Sequence, residues 1–204
     1  MRKMKEPAFK RAEPDARRQS LIEACARVLG RAGAAGASVR AIAQEAGVSP
    51  GLVNHYFDGV DALVAAAYAH VDGMVTGALD KAVGDAGPDA RDRLDAFVTA
   101  SFAPDIADRH LLATWVAFWG LVTARPDIAR QHDEQYAGFR ERLEGLLAGC
   151  GVPANELRRA AIAVTALVDG LWLELCLSPG CFAVEEASGI ARRFLDTIVP
   201  PRPA

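Results

Sequence analysis

The sequence predicts an all-α protein, built from an amino-terminal three-helix head and a larger carboxy-terminal helical body. Apolar residues recur at intervals of three and four along most of its 204 residues, which is the periodicity of amphipathic helices. No stretch shows the strict alternation expected of a strand. Within the head, the segment SVRAIAQEAGVSPGLVNHYF (38–57) joins two short helical patterns through a glycine, as in a helix-turn-helix.

The chain is predicted to begin with a disordered basic arm over residues 1–14. Its first residues, MRKMKEPAFKR, are charged and lead into no apolar run, so we do not interpret them as a secretory signal. No apolar run is expected to reach membrane-spanning length, and the chain is predicted to be cytoplasmic, with no membrane partner. The four cysteines are far apart and lack metal-site spacing, so reduced structural thiols are expected, with no metal and no cofactor.

The head is predicted over residues 15–60. Its first helix is expected from Asp15 to Arg31, with Gly33 and Gly36 ending it. Ser38 and Ser49 are expected to cap the next two helices, because a side-chain oxygen at that position accepts from unpaired backbone N–H groups.

The second helix of the helix-turn-helix is predicted to enter a major groove of double-stranded DNA. Asn54, His55 and the 50–52 edge are expected to face bases, while Tyr56 and Ser38 hold phosphates. The full predicted set of DNA-contacting residues is Arg17, Arg18, Ser38, Arg40, Ser49, Pro50, Gly51, Leu52, Asn54, His55 and Tyr56. The alternative interpretation is a tight turn between two core helices.

Charge is distributed unevenly along the chain. Residues 1–57 contain ten Lys/Arg and five Asp/Glu, a net charge of +5, so the remainder carries −8 of the total of −3. A basic head favours a polyanion, since neutralised phosphates release counterions. Ordinary surface solvation would produce the same asymmetry, so the charge distribution alone does not establish a nucleic-acid partner.

The body is predicted over residues 61–199, followed by a proline-rich tail at 200–204. A long helix from Asp61 into the low 80s should connect it to the head, and a break at 84–88 should precede the remaining helices. Those helices are expected near 89–102, 105–124, 127–149, 154–177 and 184–198.

Three tryptophans in the body suggest a pocket for an organic cation. Trp115 and Trp119 share one helical face, with Phe118 beside them, and Trp172 lies near Asp169. Aromatic faces attract a desolvated positive charge, and a carboxylate adds Coulombic attraction. The competing interpretation is that these rings are core.

The head resembles the TetR-type transcriptional regulators in its Gly47-Val48-Ser49 turn, in Gly51 and in the His55-Tyr56-Phe57 triplet. The resemblance implies a DNA-binding head, a ligand-binding and dimerisation body, and a repressor that is not an enzyme. One departure is Val60, where family members usually carry a phosphate-holding lysine.

The body is similar to a choline-responsive branch of the same family, the repressors of betaine synthesis. The similar stretches are TWVAFW, the Pro126…Arg130…Asp133…Tyr136 series and LVDGLWLE. This similarity implies release from a palindromic operator by a small-molecule effector, choline or a related quaternary ammonium compound. The predicted ligand-binding residues are Trp115, Phe118, Trp119, Tyr136, Asp169 and Trp172.

A two-fold homodimer is expected through 154–177 and 184–198, where the family pairs helices and apolar residues are abundant. The residues singled out for this surplus apolar surface are Leu157, Ala161, Val164, Leu167, Val168 and Leu171.

Three other functions stay open from the sequence. One is a regulator of a different operon with another hydrophobic or cationic ligand, and one is an architectural DNA-binding protein without a ligand. The third is a small helical enzyme, which the sequence supports weakly because it carries no nucleophile elbow, phosphate loop or metal-binding His/Glu spacing.

Overall fold

The computed structural model describes residues 14–178 and 180–201, which form nine helices and no strand. The helices are α1 (Pro14–Gly36), α2 (Val39–Glu45), α3 (Pro50–Tyr56), α4 (Gly59–Asp85), α5 (Ala90–Ala100), α6 (Arg109–Val122), α7 (Pro126–Gly149), α8 (Ala154–Leu177) and α9 (Val184–Ile198). The predicted all-α fold is confirmed. Most of the predicted arm lies outside the described residues, as do the last three residues of the tail.

The first three helices form the head. Apolar side chains of α1 meet Ile42 of α2 and Val53 of α3, both of which are fully buried. On the surface, the guanidinium groups of Arg27 and Arg31 bind the two carboxylate oxygens of Glu45 at 2.9 and 2.8 Å. These exposed contacts add little stability, so the apolar core holds the head together.

Two helix boundaries differ from the sequence prediction. Gly33 adopts φ 65° and ψ −177°, which kinks α1, but the chain resumes a helical turn up to Gly36. In the body, α6 begins only at Arg109, because the Asp108 carboxylate accepts from the backbone N–H groups of His110 and Leu111 at 2.9 and 3.0 Å. Residues 101–107 form turns instead of the predicted start of the helix.

The head packs against the body where α1 crosses α6. The Thr114 hydroxyl of α6 donates to the His110 carbonyl at 3.0 Å and lies 3.5 Å from the Ala26 carbonyl of α1. A Cβ added to Gly30 would stand 2.6 Å from the Thr114 hydroxyl oxygen. Gly30 therefore permits the close approach of the two helices.

A second connection joins the body to the first turn of α4. Arg125, in the turn between α6 and α7, donates to Asp61 of α4 at 2.6 Å and to Asp127 at 2.7 Å. The Arg125 side chain is only about a fifth exposed, whereas Asp61 is about two-thirds exposed, so solvent reaches one side of this ion pair.

The outward surface of α8 differs from the sequence prediction. Ala161, Val164 and Val168, expected to supply surplus apolar surface, are buried inside the protomer. Apolar residues that do remain exposed on the last two helices are Ile162, Ala163, Ala166, Leu177 and Ile190. The prediction failed here because helical periodicity identifies an apolar face but not the neighbour that covers it.

Two helices, α4 and α8, are long and apolar enough to cross a membrane by length and composition alone. The expectation that no apolar run reaches that length is therefore wrong. In α8, 39% of the most apolar window is buried within the fold, and in α4 the share is 33%. Core helices of soluble proteins pass the same test, so these windows are weak evidence for a membrane.

Candidate functional site

The helix-turn-helix depends on a tight turn at Gly47, whose φ of 66° is accessible to glycine at little cost. Ser38 caps α2 as predicted, with its hydroxyl accepting from the Ala41 N–H at 3.2 Å. Ser49 precedes α3 but makes no side-chain cap, so that prediction is wrong. The Leu52 N–H, a natural partner for such a cap, instead donates to the Ser49 backbone carbonyl at 3.0 Å.

Most of the predicted DNA-contacting side chains of α2 and α3 lie at the protein surface. The exposed residues are Ser38, Arg40, Ser49, Pro50, Gly51, Asn54 and His55. Leu52 and Tyr56 are half-buried, while Val53 and Phe57 belong to the core. One side of α3 thus packs against the core, and the other side leaves polar side chains available to a partner.

The two predicted arginine contacts on α1 differ in their surroundings. Arg18 places its guanidinium 4.9 Å from the centre of the Phe57 ring, a cation–π contact that connects α1 to the end of α3. Arg17, beside it, is half-buried. Arg18 therefore has a structural contact in addition to its predicted role at the DNA backbone.

The body contains a partly open cavity of about 600 Å³ whose walls come mainly from α4, α6, α7 and α8. Five of the six predicted ligand-binding residues line it, namely Trp115, Trp119, Tyr136, Asp169 and Trp172. The sixth, Phe118, lies outside the lining and is fully buried, with its ring 4.8 Å from that of Tyr68. Its position three residues after Trp115 turns it toward α4 and into the core.

Aromatic rings form one part of the cavity wall. The rings of Trp119 and Trp172 meet edge to face at 6.3 Å, and those of Tyr68 and Trp115 at 5.4 Å. The Trp172 indole donates to the Ile106 carbonyl at 2.8 Å, which fixes the orientation of that ring. Trp115 and Trp172 are largely buried, as core residues are, and they also line the cavity.

Asp169 lies beside these rings, on α8. The Tyr136 hydroxyl donates to its carboxylate at 3.3 Å. Although Asp169 as a whole is exposed in the isolated chain, neighbouring protein atoms crowd its carboxylate, and this desolvation raises its pKa above the usual range. The Tyr136 hydrogen bond opposes the shift only partly. A cation bound nearby would favour the ionised form.

A second polar group in the cavity was not predicted from the sequence. The Gln135 amide nitrogen donates to Asp72 of α4, and the Gln131 amide nitrogen donates to the Ala65 carbonyl at 3.3 Å. The side-chain oxygens of both glutamines are buried and have no hydrogen-bond partner. Burial raises the pKa of Asp72, against the opposing effects of Gln135, Arg142 and Thr76.

The sequence did carry a signal for this second group. Tyr68, Asp72 and Thr76 recur every four residues on α4, which places polar atoms on one stripe of an otherwise apolar helix. Gln131 and Gln135 show the same spacing on α7. What the spacing does not reveal is that the two stripes face one another across the cavity.

The arrangement has the chemistry of a site for an organic cation. The lining combines tryptophan and tyrosine rings with four carboxylates and one guanidinium. The charged residues in the cavity wall are Asp72, Glu134, Glu141, Asp169 and Arg142. Such a wall attracts positive charge and removes water from it, which strengthens both cation–π and Coulombic attraction.

A helix-turn-helix head on a helical body with a cavity between its helices is the architecture of the helical transcriptional regulators. Residues 21–67 match the model of the bacterial regulatory proteins of the tetR family, and residues 90–200 match the model of the BetI-type transcriptional repressor C-terminal domain. The chain belongs to the TetR family and has a BetI-type carboxy-terminal domain.

Relatives and solved structures agree with this assignment. The chain is 34% identical over 188 residues to the HTH-type transcriptional regulator BetI of Paraburkholderia phytofirmans, covering 91% of this chain and 95% of that protein. A crystal structure of a transcriptional regulator from Pseudomonas aeruginosa PAO1 has 44% identity and a TM-score of 0.86, with 95% of each chain covered. A regulator from Saccharomonospora viridis, solved in complex with choline, shares the fold with a TM-score of 0.77 at 20% identity, covering 92% of this chain and all of that one.

Proposed function

We propose that this protein is a cytoplasmic, dimeric repressor that binds a palindromic operator and releases it when a cationic effector enters the cavity. Choline or a related quaternary ammonium compound is the leading effector. The observation that carries the proposal is the cavity, in which Trp119, Trp172 and Asp169 combine aromatic faces with a carboxylate. The BetI-type body and the choline bound by the Saccharomonospora viridis regulator support the same class of ligand.

On the DNA side, the proposed base-reading residues are Asn54 and His55, together with the 50–52 edge of α3. Their exposure at the start and along the outer side of a short helix suits entry into a major groove. Tyr56, at the end of α3, and Ser38, at the start of α2, are proposed to hold phosphates, together with Arg40 on α2 and Arg17 on α1. The net charge of +5 over residues 1–57 supports these roles.

The proposed dimer uses α8 and α9. The exposed face of α8 carries small and apolar residues, among them Ile162, Ala166 and Gly170, and α9 adds Ile190. Small residues let two helices approach closely, as an intermolecular four-helix bundle requires. Two-fold symmetry then predicts two reading heads and two matching operator half-sites.

The proposed induction mechanism couples the cavity to the head through α4, α6 and the α6–α7 turn. Trp115 and Trp119 lie on α6, which contacts α1 at Gly30 and continues into the turn that carries Arg125. Asp72 is on α4, whose first turn Arg125 holds through Asp61. A ligand that shifts these walls would move both connections to the head at once. Two heads must fit successive major grooves about 34–36 Å apart, so a small shift spoils simultaneous docking.

The test is a pair of calorimetric titrations of choline and betaine aldehyde, with the protein alone and with the protein bound to its operator duplex. The operator is sought as an inverted repeat in the DNA beside the gene. Because coupling is reciprocal, choline should weaken operator binding by the same factor by which operator weakens choline binding. No heat from either compound would contradict the ligand assignment, and equal choline affinity in both titrations would contradict the induction mechanism.

A variant locates the effector within the cavity. Trp119→Leu keeps an apolar side chain but removes the ring, and should reduce choline binding by about 0.5–2 kcal/mol through the lost cation–π contact. Operator affinity without ligand should stay the same. Val116→Ala is the matched control, since Val116 is on the same helix and half exposed outside the cavity.

A further inference from the structure

The cavity is longer, more acidic and richer in hydrogen-bond acceptors than one quaternary ammonium group requires. We infer that the cavity also takes a dication of the polyamine class and binds it more tightly than choline, with one charge among Trp119, Trp172 and Asp169 and a second, N–H-bearing nitrogen at Asp72 and Gln135. The inference rests on the proposed function, because it concerns the same cavity and the same response to a cation.

The size of the cavity is the first argument. Its lining runs along α4 from Tyr68 to Leu79 and along α7 from Gln131 to Arg142, eleven residue steps on each helix by subtraction. At a rise of 1.5 Å per residue, each wall is about 16 Å long. At about 30 Å³ per water-sized group, the seven heavy atoms of choline occupy roughly 200 Å³. The cavity volume is about 600 Å³, which leaves room for a longer molecule.

The second argument is that the carboxylates of Asp72 and Asp169 belong to different walls. Gln135 and Tyr136 are consecutive on α7, so their side chains leave the helix about 100° apart. The Gln135 amide reaches Asp72 on α4, and the Tyr136 hydroxyl reaches Asp169 on α8. The two carboxylates therefore meet α7 on different sides, as partners for two charged groups rather than for one.

The two walls also differ in chemistry. The Asp169 wall carries indole faces, which suit a cation with a large, weakly hydrated surface. The Asp72 wall carries, besides the carboxylate, the buried and unpartnered side-chain oxygens of Gln131 and Gln135. These atoms require N–H or O–H donors. A trimethylammonium group has none and choline adds a single hydroxyl, whereas a primary ammonium has three N–H donors. A nitrogen that carries N–H groups would form hydrogen bonds to these buried acceptors, which are costly to leave without a partner.

The charge of the lining supports the same conclusion. Of the five charged residues in the cavity wall, four are acidic, and the single basic one, Arg142, also contacts Asp80 at 3.2 Å. A monocation would leave most of this negative charge uncompensated. A dication compensates one carboxylate on each wall.

The experiment is calorimetry on the full chain with choline, putrescine, cadaverine, spermidine and N-permethylated cadaverine. At least one of the amines should bind about tenfold or more tightly than choline, the gain expected from an added charge-assisted hydrogen bond. Permethylated cadaverine has the same chain and the same charge but no N–H donor. It should bind more weakly than cadaverine if the Asp72 wall works as inferred.

Variants separate the two walls. Asp72→Asn should weaken amine binding about tenfold and weaken choline binding much less, because choline has no ammonium N–H to donate to Asp72. Asp85→Asn is the matched control, because Asp85 is on the same helix, at the surface and outside the cavity lining. Gln131→Met removes one acceptor while keeping side-chain length, and provides a second test should Asp72→Asn unfold. Circular dichroism checks the folding of each variant.

The outcomes distinguish this inference from the proposed function. Choline binding with no tighter binding by any amine overturns the inference and leaves the proposed function standing. Equal affinity for cadaverine and its permethylated form would show that the Asp72 wall does not select for N–H donors. Binding of no cation at all overturns the proposed function as well.

Discussion

At the scale of single residues, Asn54 and Tyr56 on α3 offer the sharpest comparison. Asn54 is exposed, whereas Tyr56 is half-buried with its ring 5.2 Å from that of His55. If Asn54 reads a base edge, Asn54→Ala should cost roughly 1–3 kcal/mol at one base position of the operator. Tyr56→Phe removes a proposed phosphate contact and should weaken operator and random DNA alike. Fluorescence anisotropy on both duplexes measures these changes in affinity. If Asn54→Ala weakened binding to operator and to random DNA equally, Asn54 would not be a base-reading residue.

The contacts of single residues are also the features that the sequence predicts least well. Ser38 and Ser49 look equivalent in sequence, yet only Ser38 caps its helix, because the choice depends on which backbone groups are already paired. Trp119 and Asp169 were predicted from their types and spacing. Asp72 and Gln135 were not, since their meeting depends on how α4 and α7 face each other, which local periodicity does not encode.

At the scale of elements, the crossing of α1 over α6 should be sensitive to one methyl group. Gly30→Ala would place a Cβ 2.6 Å from the Thr114 hydroxyl and 3.2 Å from the His110 carbonyl, so it should destabilise the protein by about 1–3 kcal/mol. Gly77→Ala on α4 is the matched control. No atom comes within 4 Å of its added Cβ, so it should stabilise by about 0.5–1 kcal/mol. Urea unfolding of both variants gives the comparison, and equal stability changes would show that the crossing tolerates a shift.

The sequence predicts where helices form because amphipathic periodicity and Gly or Pro breaks are local signals. The predicted segment 154–177 coincides with α8, and 184–198 coincides with α9. The start of α6 was missed by four residues, since the Asp108 cap outweighs the helical tendency of the residues before it. Which face of α8 is covered inside the protomer depends on packing with its neighbours, and the sequence misassigned Ala161, Val164 and Val168 for that reason.

At the scale of the whole molecule, the proposed dimer makes a direct prediction. Ala166→Glu places a charge on the exposed face of α8 and should convert the dimer to monomers, because a buried unpaired carboxylate is costly. Ala137→Glu, on the exposed side of α7, is the matched control and should remain dimeric. Sedimentation at micromolar concentration distinguishes the two. A monomeric parent protein would contradict the dimer itself.

Cation affinity should also depend on pH. The pKa values of Asp72 and Asp169 are raised by desolvation above their ordinary value of 3.8, so the folded chain holds their protons more tightly than the unfolded chain. Their ionisation lowers stability as pH rises through this window, and the ionised forms are the ones that attract a cation. Effector affinity should therefore fall as pH is lowered through the raised pKa values. Calorimetry over a pH series measures the slope, and Asp169→Asn should flatten it.

The length of α4 sets how little the body has to move. Its 27 residues at a rise of 1.5 Å make a rod about 40 Å long, with the Asp61 contact to Arg125 at the head end. A tilt of about 5° displaces one end of such a rod relative to the other by roughly 3.5 Å. That distance matches the spacing of about 3.4 Å between successive nucleotides of one DNA strand. A tilt of this size would shift the α3 contacts by one base pair in each half-site, so an effector need only change the register in which the two heads meet the DNA.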